Sequence, residues 1–221
     1  MKIDRRKKYY IVFDTETANG LDDPIVYDLG FAVVDKMGNV YARYSLIIRE
    51  VFYGMSDLMQ SAYYANKLPK YHEEIAKGER QVVSLYMAKK IFTDVCKQYN
   101  IKVAIAHNAR FDYKATAKTQ RYLTKSKYRF FLPYGIELWD TMKMANDTIC
   151  TQKMYKEWCI ANGYMTKNNQ VRKTAEILYK YISGKYDFEE EHTGLADVLI
   201  EKEIFAHCMR QNKRMRKKCF E

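Results

Sequence analysis

The run Tyr9-Tyr10-Ile11-Val12-Phe13 leads without a break into Asp14-Thr15-Glu16-Thr17. Five apolar, aromatic or branched residues in a row read as a buried central strand. Side chains alternate across a strand, so Asp14 and Glu16 point to one face, at what reads as the strand's end near Asp14. The stretches that follow supply neighbours for it. Ile25–Val34 reads as a second strand, Asp35-Lys36-Met37-Gly38-Asn39 as a tight turn, and Val40–Arg49 as a third strand, which makes an antiparallel meander.

Beyond Ser56 the pattern turns helical. Asp57–Asn66 is expected as a helix capped by Ser56, followed by a break near Pro69 and a second helix over Tyr71–Lys77. Leu85, Ala88, Ile91, Phe92 and Val95 recur at helical spacing within Ser84–Tyr99. Val103–Ala106 is a compact strand, Phe111–Leu123 a helix, and Trp139-Asp140-Thr141 a short strand or strand end. Helices are expected over Gln152–Asn162, Thr174–Ser183 and Thr193 to about Arg210. The order predicts an α/β fold: a mixed central sheet, antiparallel meander plus parallel strands, flanked by helices.

Two further short motifs carry acids: His107-Asn108-Ala109-Arg110-Phe111-Asp112 and His192-Thr193-Gly194-Leu195-Ala196-Asp197. Taken singly, each motif is as readily a solvated strand edge or a helix cap. Taken together they place four acids and a histidine at strand ends and helix starts, where a sheet converges side chains on one crevice. Hard divalent cations prefer oxygen ligands, and carboxylate-held metals serve phosphodiester cleavage. His192 and Asp197 are five residues apart, about 500° of helical rotation, so His192 is expected just outside the helix, with Thr193 as the cap.

On these residues the chain resembles the DEDDh branch of 3′→5′ exonucleases of the ribonuclease-H-like superfamily. That branch includes the proofreading subunit of bacterial replicative DNA polymerase, oligoribonuclease and ribonuclease T. Phe13-Asp14-Thr15-Glu16-Thr17 matches the first motif, His107-Asn108-x-x-Phe111-Asp112 the second and His192-x-x-x-x-Asp197 the third. Trp139-Asp140-Thr141 looks like the family's short Asp-Thr element, and the similarity spans roughly residues 9–209. Two features depart from the pattern. Gly194 stands where alanine is more usual, and Phe52–Glu79 is longer than a minimal member needs.

The resemblance implies that Asp14, Glu16, Asp112 and Asp197 hold two divalent cations, Mg²⁺ or Mn²⁺, and that His192 is the general base. It places the 3′ nucleotide near Thr17 and Asn108, on single-stranded DNA or RNA 3′ ends, with a DNA polymerase or other replication protein as a partner. The loop around Asn19–Leu21 is the candidate for base stacking, and most of the 20 tyrosines are expected in the core. His72 and His207 read as ordinary surface or packing histidines, and His107 as structural rather than catalytic. An RNA-trimming, oligoribonuclease-like enzyme and a non-catalytic nucleic-acid-binding module on the same fold are the alternatives.

Charge refines this reading. Of the net +11, residues 1–8 hold +4 and residues 210–221 hold +5, which leaves +2 for residues 9–209. The ends are therefore expected as a basic N-terminal arm and a basic C-terminal tail around one exonuclease domain, contacting phosphate or merely solvated. The five scattered cysteines include no Cys-x-x-Cys pair, no run approaches membrane-span length, and no secretory signal is evident. These features fit a cytoplasmic protein without a structural zinc or a disulfide framework.

Overall fold

The computed structural model describes residues 3–60, 62–124, 127 and 129–220. Its strands are β1 (Tyr10–Ala18), β2 (Ile25–Val34), β3 (Val40–Ile48), β4 (Gln81–Val83), β5 (Val103–Ala106) and β6 (Glu137–Asp140). Its helices are α1 (Arg49–Phe52), α2 (Ser56–Gln60), α3 (Leu68–Ala76), α4 (Leu85–Gln98), α5 (Ala109–Leu123), α6 (Thr141–Thr148), α7 (Lys153–Ala161), α8 (Ala175–Ser183) and α9 (Gly194–Arg210). A 3-10 turn, Ala65–Lys67, precedes α3.

The six strands form one sheet in the order β4-β3-β2-β1-β5-β6. β1–β2–β3 is the expected antiparallel meander, and β4, β5 and β6 join in parallel. One face carries Ile11, Phe13 and Phe31 against Phe92 of α4 and Ala115 of α5. The other carries Tyr10, Val12 and Ile105 against Met144 of α6, Leu178 of α8, and Ile204 and Phe205 of α9. The predicted mixed sheet between helical layers is the observed architecture.

Several local expectations need correction. β1 does not stop near Asp14 but continues to Ala18, because β2 goes on pairing with it through Ala18↔Ile25. Pro69 does not break a helix. It lies at the start of α3, where its missing N–H costs nothing. Ser56 is the first residue of α2 rather than its cap. Helices α1 and α6 and the three-residue strand β4 went unread in the sequence.

The described segments near both ends have definite places. After α9, Lys217 accepts the Asp140 N–H (2.8 Å) and the Cys219 N–H reaches Leu138 O (2.9 Å), so the segment lies along the outer edge of β6. Arg216 forks onto Asp147 at 2.9 and 2.7 Å, and Lys217 lies over the Trp139 ring. Near the other end, Lys7 donates to the Tyr41 hydroxyl at 2.7 Å. Among the described residues no helix is long and apolar enough to cross a membrane.

Candidate active site

β1 outruns its parallel neighbour. β5 pairs with it only at Ile11↔Ala104 and Val12↔Ile105 and ends at Ala106, so the β5-side edge of β1 is open from Asp14 onward. The chain turns there through His107 and Asn108 into α5. Asn108 takes the left-handed conformation (φ +60°), which asparagine tolerates better than most residues, and its N–H donates to Asp140 Oδ1 at 3.1 Å. Asp140 Oδ1 also accepts the Met142 N–H at 2.9 Å, so the Trp139-Asp140-Thr141 element caps α6 and fixes the turn of the second motif with one oxygen.

That turn delivers Asp112 to the open edge. Its Oδ1 accepts the Thr15 N–H (3.1 Å) and the Thr15 hydroxyl (2.8 Å). His107 lies behind, with Nδ1 2.9 Å from Thr141 Oγ1 and Nε2 2.8 Å from Lys173 O. With both ring nitrogens engaged and burial lowering its pKa, it is structural, as expected.

Asp14 and Glu16 share the face of β1 that carries Tyr10 and Val12, over which α9 packs. The helix comes unusually close. A Cβ on Gly30, the residue paired with Asp14, would lie 2.1 Å from the Gly194 carbonyl carbon, and one on Gly194 would lie 2.6 Å from Gly30 N. Two bare glycines therefore let the start of α9 rest directly on the sheet. This accounts for Gly194 in place of alanine. The Gly194 N–H donates to Asp28 Oδ2 at 3.0 Å, which anchors the helix start. Thr193 occupies the cap position, but its side chain makes no cap bond.

The close approach brings Asp197 to the two strand acids. Oxygens of Asp14, Glu16 and Asp197 lie within 4.8 Å of one another, and Asp197 forms a second such group with Glu190 and His192. Asp112 belongs to neither group; it adjoins them while Thr15 holds one of its oxygens. Burial and neighbouring like charges push these acids upward. Burial comes first for Glu16, with Asp197 next, and first for Asp197, with Asp14 next; each reaches about 9. Burial takes Asp112 to about 7 against the pull of Thr15, and Asp14 stands well above its ordinary value.

His192 sits just outside α9 in the left-handed region (φ +50°), as expected from the spacing. Its ring stacks on Tyr64, centroids 4.7 Å apart, and its Nδ1 is 3.7 Å from Glu190 Oε2. Burial and nearby Lys67 lower its pKa, which keeps the imidazole neutral at neutral pH. Tyr64 and Lys67 come from the long segment after β3. Lys67 lies 4.5 Å from the Tyr64 ring centre and donates to Glu191 O, while Lys70 pairs with the Glu191 carboxylate at 2.9 Å. The segment that looked superfluous thus docks on the third motif.

An open cleft of about 640 Å³ lies over Asp14, Asn108, Glu190 and Glu201. Its other wall is the hairpin around the Met165↔Val171 bridge, with Lys167, Arg172 and Lys173 on the rim. Asn108 lines this cleft and Thr17 does not; Thr17 lies half-buried just past a register shift between β1 and β2. Leu21, in the loop expected to stack bases, is exposed, and the aromatic ring beside His192 is Tyr64 instead.

No family model and no curated protein matches the chain. Solved structures do. Pop2p of S. pombe, in its Mg²⁺- and Mn²⁺-bound form, superposes with a TM-score of 0.52 at 13% identity over 91% of this chain and 82% of that one. E. coli exonuclease I in complex with a 5cy-dT13 oligonucleotide gives 0.51 at 12% identity, over 90% of this chain. The match spans only 40% of the exonuclease I chain. This chain has a ribonuclease-H-like fold. At such low identity the likeness establishes the architecture, and within it the acids of the first and third motifs meet where β1 passes under α9.

The residues fit divalent cations. Every donor among the four acids is oxygen, the set that hard cations favour. Asp197 Oδ1 and Glu201 Oε2 are buried with no hydrogen-bond partner among the described residues. Glu190, Glu201 and Tyr64 were missed from sequence. The Glu189-Glu190-Glu191 run before His192 was a signal for the first, and helical spacing from Asp197 for the second; nothing marked Tyr64 among 20 tyrosines.

Proposed function

We propose that this chain is a metal-dependent 3′→5′ exonuclease that releases nucleoside monophosphates from single-stranded nucleic acid, with DNA as the favoured substrate. The observation that carries the reading is the group of Asp14, Glu16 and Asp197 oxygens within 4.8 Å, with Asp197 keeping one buried oxygen unpartnered among the described residues and His192 in a second such group with Asp197. Carboxyls crowded in a buried site resist ionising together and, once ionised, repel phosphate, so a cluster with no lysine or arginine ion pair among the described residues is suited to cations.

Asp14, Glu16, Asp112 and Asp197 would hold the cations. Bound there, Mg²⁺ or Mn²⁺ would supply Lewis-acid chemistry, lowering the pKa of a water and offsetting charge that builds on the phosphate. His192 would accept the water's proton as its oxygen bonds to phosphorus and the bond from phosphorus to the 3′ oxygen of the preceding nucleotide breaks, that oxygen taking a proton from solvent. Thr15 fixes the carboxyl of Asp112, Asn108 faces the nucleotide from the cleft wall, and Thr17, on β1 just beyond Glu16, is proposed with it beside the 3′ nucleotide. Lys167, Arg172 and Lys173 flank the cleft at positions suited to incoming phosphates. The bound oligonucleotide of exonuclease I supports a single-stranded DNA substrate, and the metal-bound form of Pop2p supports the cofactor. A polymerase partner is an expectation of the sequence resemblance alone.

The test uses 5′-labelled single-stranded DNA and RNA with Mg²⁺, Mn²⁺ or EDTA. A ladder shortening from the 3′ end is expected with metal, abolished by EDTA and by Asp14→Ala. His192→Ala is expected to slow cleavage by about 10²- to 10⁴-fold, the usual worth of a general base. Laddering that survives EDTA would sink the mechanism, and binding without cleavage of any strand would favour the non-catalytic module.

A further inference from the structure

Glu201 lies four residues beyond Asp197 on α9, one turn along the same stripe of the helix. The helix face it occupies is otherwise core: Val198, Ile204 and Phe205 are fully buried against the sheet. Packing alone would call for an apolar residue at this position. Instead a carboxyl is buried there to 2% exposure, and it lines the cleft together with Asp14, Asn108 and Glu190. Its Oε2 has no hydrogen-bond partner among the described residues, and no lysine or arginine there makes an ion pair with it.

A buried carboxyl persists when something compensates it. Three compensations are possible: a basic partner, a shared proton with a neighbouring carboxylate, or a cation. The first is absent among the described residues. The second would satisfy the group through a neutral hydrogen bond that an amide could also make. The third needs the charge itself. Asp197 Oδ1 and Glu201 Oε2 are both orphaned on successive turns of one helix; Glu201 lies outside the groups of oxygens within 4.8 Å of one another, but it shares the cleft lining with Asp14, a member of one of them.

We propose that Glu201 is a fifth carboxylate ligand of the cation site, added from α9 one turn below Asp197. The inference rests on the reading of Asp14, Glu16, Asp112 and Asp197 as a divalent-cation site. It extends that site deeper beneath the cleft and gives it one more negative charge than the four motif acids supply.

The test is Mn²⁺ binding to the metal-stripped full chain, by calorimetry and by the electron paramagnetic resonance of free Mn²⁺, with no nucleic acid present. Glu201→Gln keeps the size and hydrogen-bonding capacity of the side chain and removes its charge. It is expected to weaken Mn²⁺ binding at least 10-fold or to remove one equivalent, and to shrink the Mn²⁺-induced rise in melting temperature. Wild-type affinity and stoichiometry in Glu201→Gln would overturn the proposal and leave the shared-proton role in its place. Should that variant fail to fold, Glu201→Asp carries the same comparison. A ligand drawn back by one methylene weakens Mn²⁺ at least 3-fold, and unchanged binding overturns the proposal. Asp14→Asn separates the two levels of the argument. If the wild type binds no Mn²⁺, the cation site falls and Glu201 with it; if Asp14→Asn loses Mn²⁺ while Glu201→Gln keeps it, only the assignment of Glu201 falls.

Discussion

Two buried acids face each other across β1 and β2, Glu16 paired in register with Asp28, and they have been treated in opposite ways. Asp28 Oδ2 accepts from Arg80 Nη1 (2.8 Å), the Tyr71 hydroxyl (2.8 Å) and the Gly194 N–H (3.0 Å). Arg80 is itself completed by Glu74 at 2.6 Å and Ser45 at 3.0 Å, and stands over the Tyr71 ring. Glu16 and its companions Asp14, Asp197 and Glu201 make no ion pair with a lysine or arginine among the described residues. Asp28 keeps one oxygen, Oδ1, without a partner among the described residues as well, so it is the Arg80 counter-charge that marks it as scaffold; buried acids left without one are where a cation belongs. Asp28 also ties the start of α9, so the compensated acid positions the uncompensated ones.

The largest test of this contrast is Arg80→Met. Leaving Asp28 buried and uncompensated is expected to cost about 3–5 kcal/mol in urea denaturation. It should also weaken Mn²⁺ binding, because the Gly194 anchor slackens. A loss below about 1 kcal/mol would mean that the scaffold does not depend on the pair.

pH separates the two groups next. The folded, metal-free protein holds protons on Glu16 and Asp197 up to about 9, while the unfolded chain has released them by pH 7. Stability in EDTA should therefore fall as pH rises from 7 to 9, by about 1.4 kcal/mol per pH unit for each proton held. The window lies above the ordinary histidine value, where the depressed His107 and His192 add no slope. Saturating Mn²⁺ should flatten or reverse the trend, since cations need the ionised acids. A flat curve in EDTA would show that the acids are not raised.

Asp197→Asn should act oppositely to Arg80→Met. At pH 7 and above, an amide that needs no proton in the buried cluster is expected to stabilise the metal-free protein by about 0.5–2 kcal/mol while cation binding is lost. Urea titrations with EDTA and with Mn²⁺ read both effects in one variant. Destabilisation in EDTA would place Asp197 with the scaffold instead.

Much of this was readable in the residues because strong local signals agreed with the tertiary result. β2 and β5 follow apolar runs bounded by turn residues, and Ser84 caps α4, its hydroxyl oxygen accepting the Met87 N–H at 3.2 Å. β1 was read too short because Asp14 and Glu16 look like an exposed end, although their polarity belongs to a buried site. β4 has three residues, and its strand character comes from pairing with β3, which no local window contains. The DEDDh-like motifs named the acids that converge. Glu201 needed the helix face and Tyr64 needed the docking of a distant segment before either could be placed.

The smallest effect concerns the tail, where charge that seemed free in the sequence is partly spent within the fold. Arg216 is bidentate to Asp147, whose carboxyl that contact holds below its ordinary range, and backbone pairing continues to Cys219. The arginine of the pair is exposed, though Asp147 is half-buried, so Arg216→Ala should cost no more than about 1 kcal/mol. It should leave the salt dependence of oligonucleotide binding nearly unchanged, because this arginine is committed to Asp147. Lys213→Ala and Arg214→Ala, by contrast, should each reduce the slope of log K against log salt by about 0.7 if the tail touches single-stranded phosphate. A reduced slope for Arg216→Ala equal to that of its neighbours would mean that the pair opens on binding and that the tail leaves β6 to follow the strand.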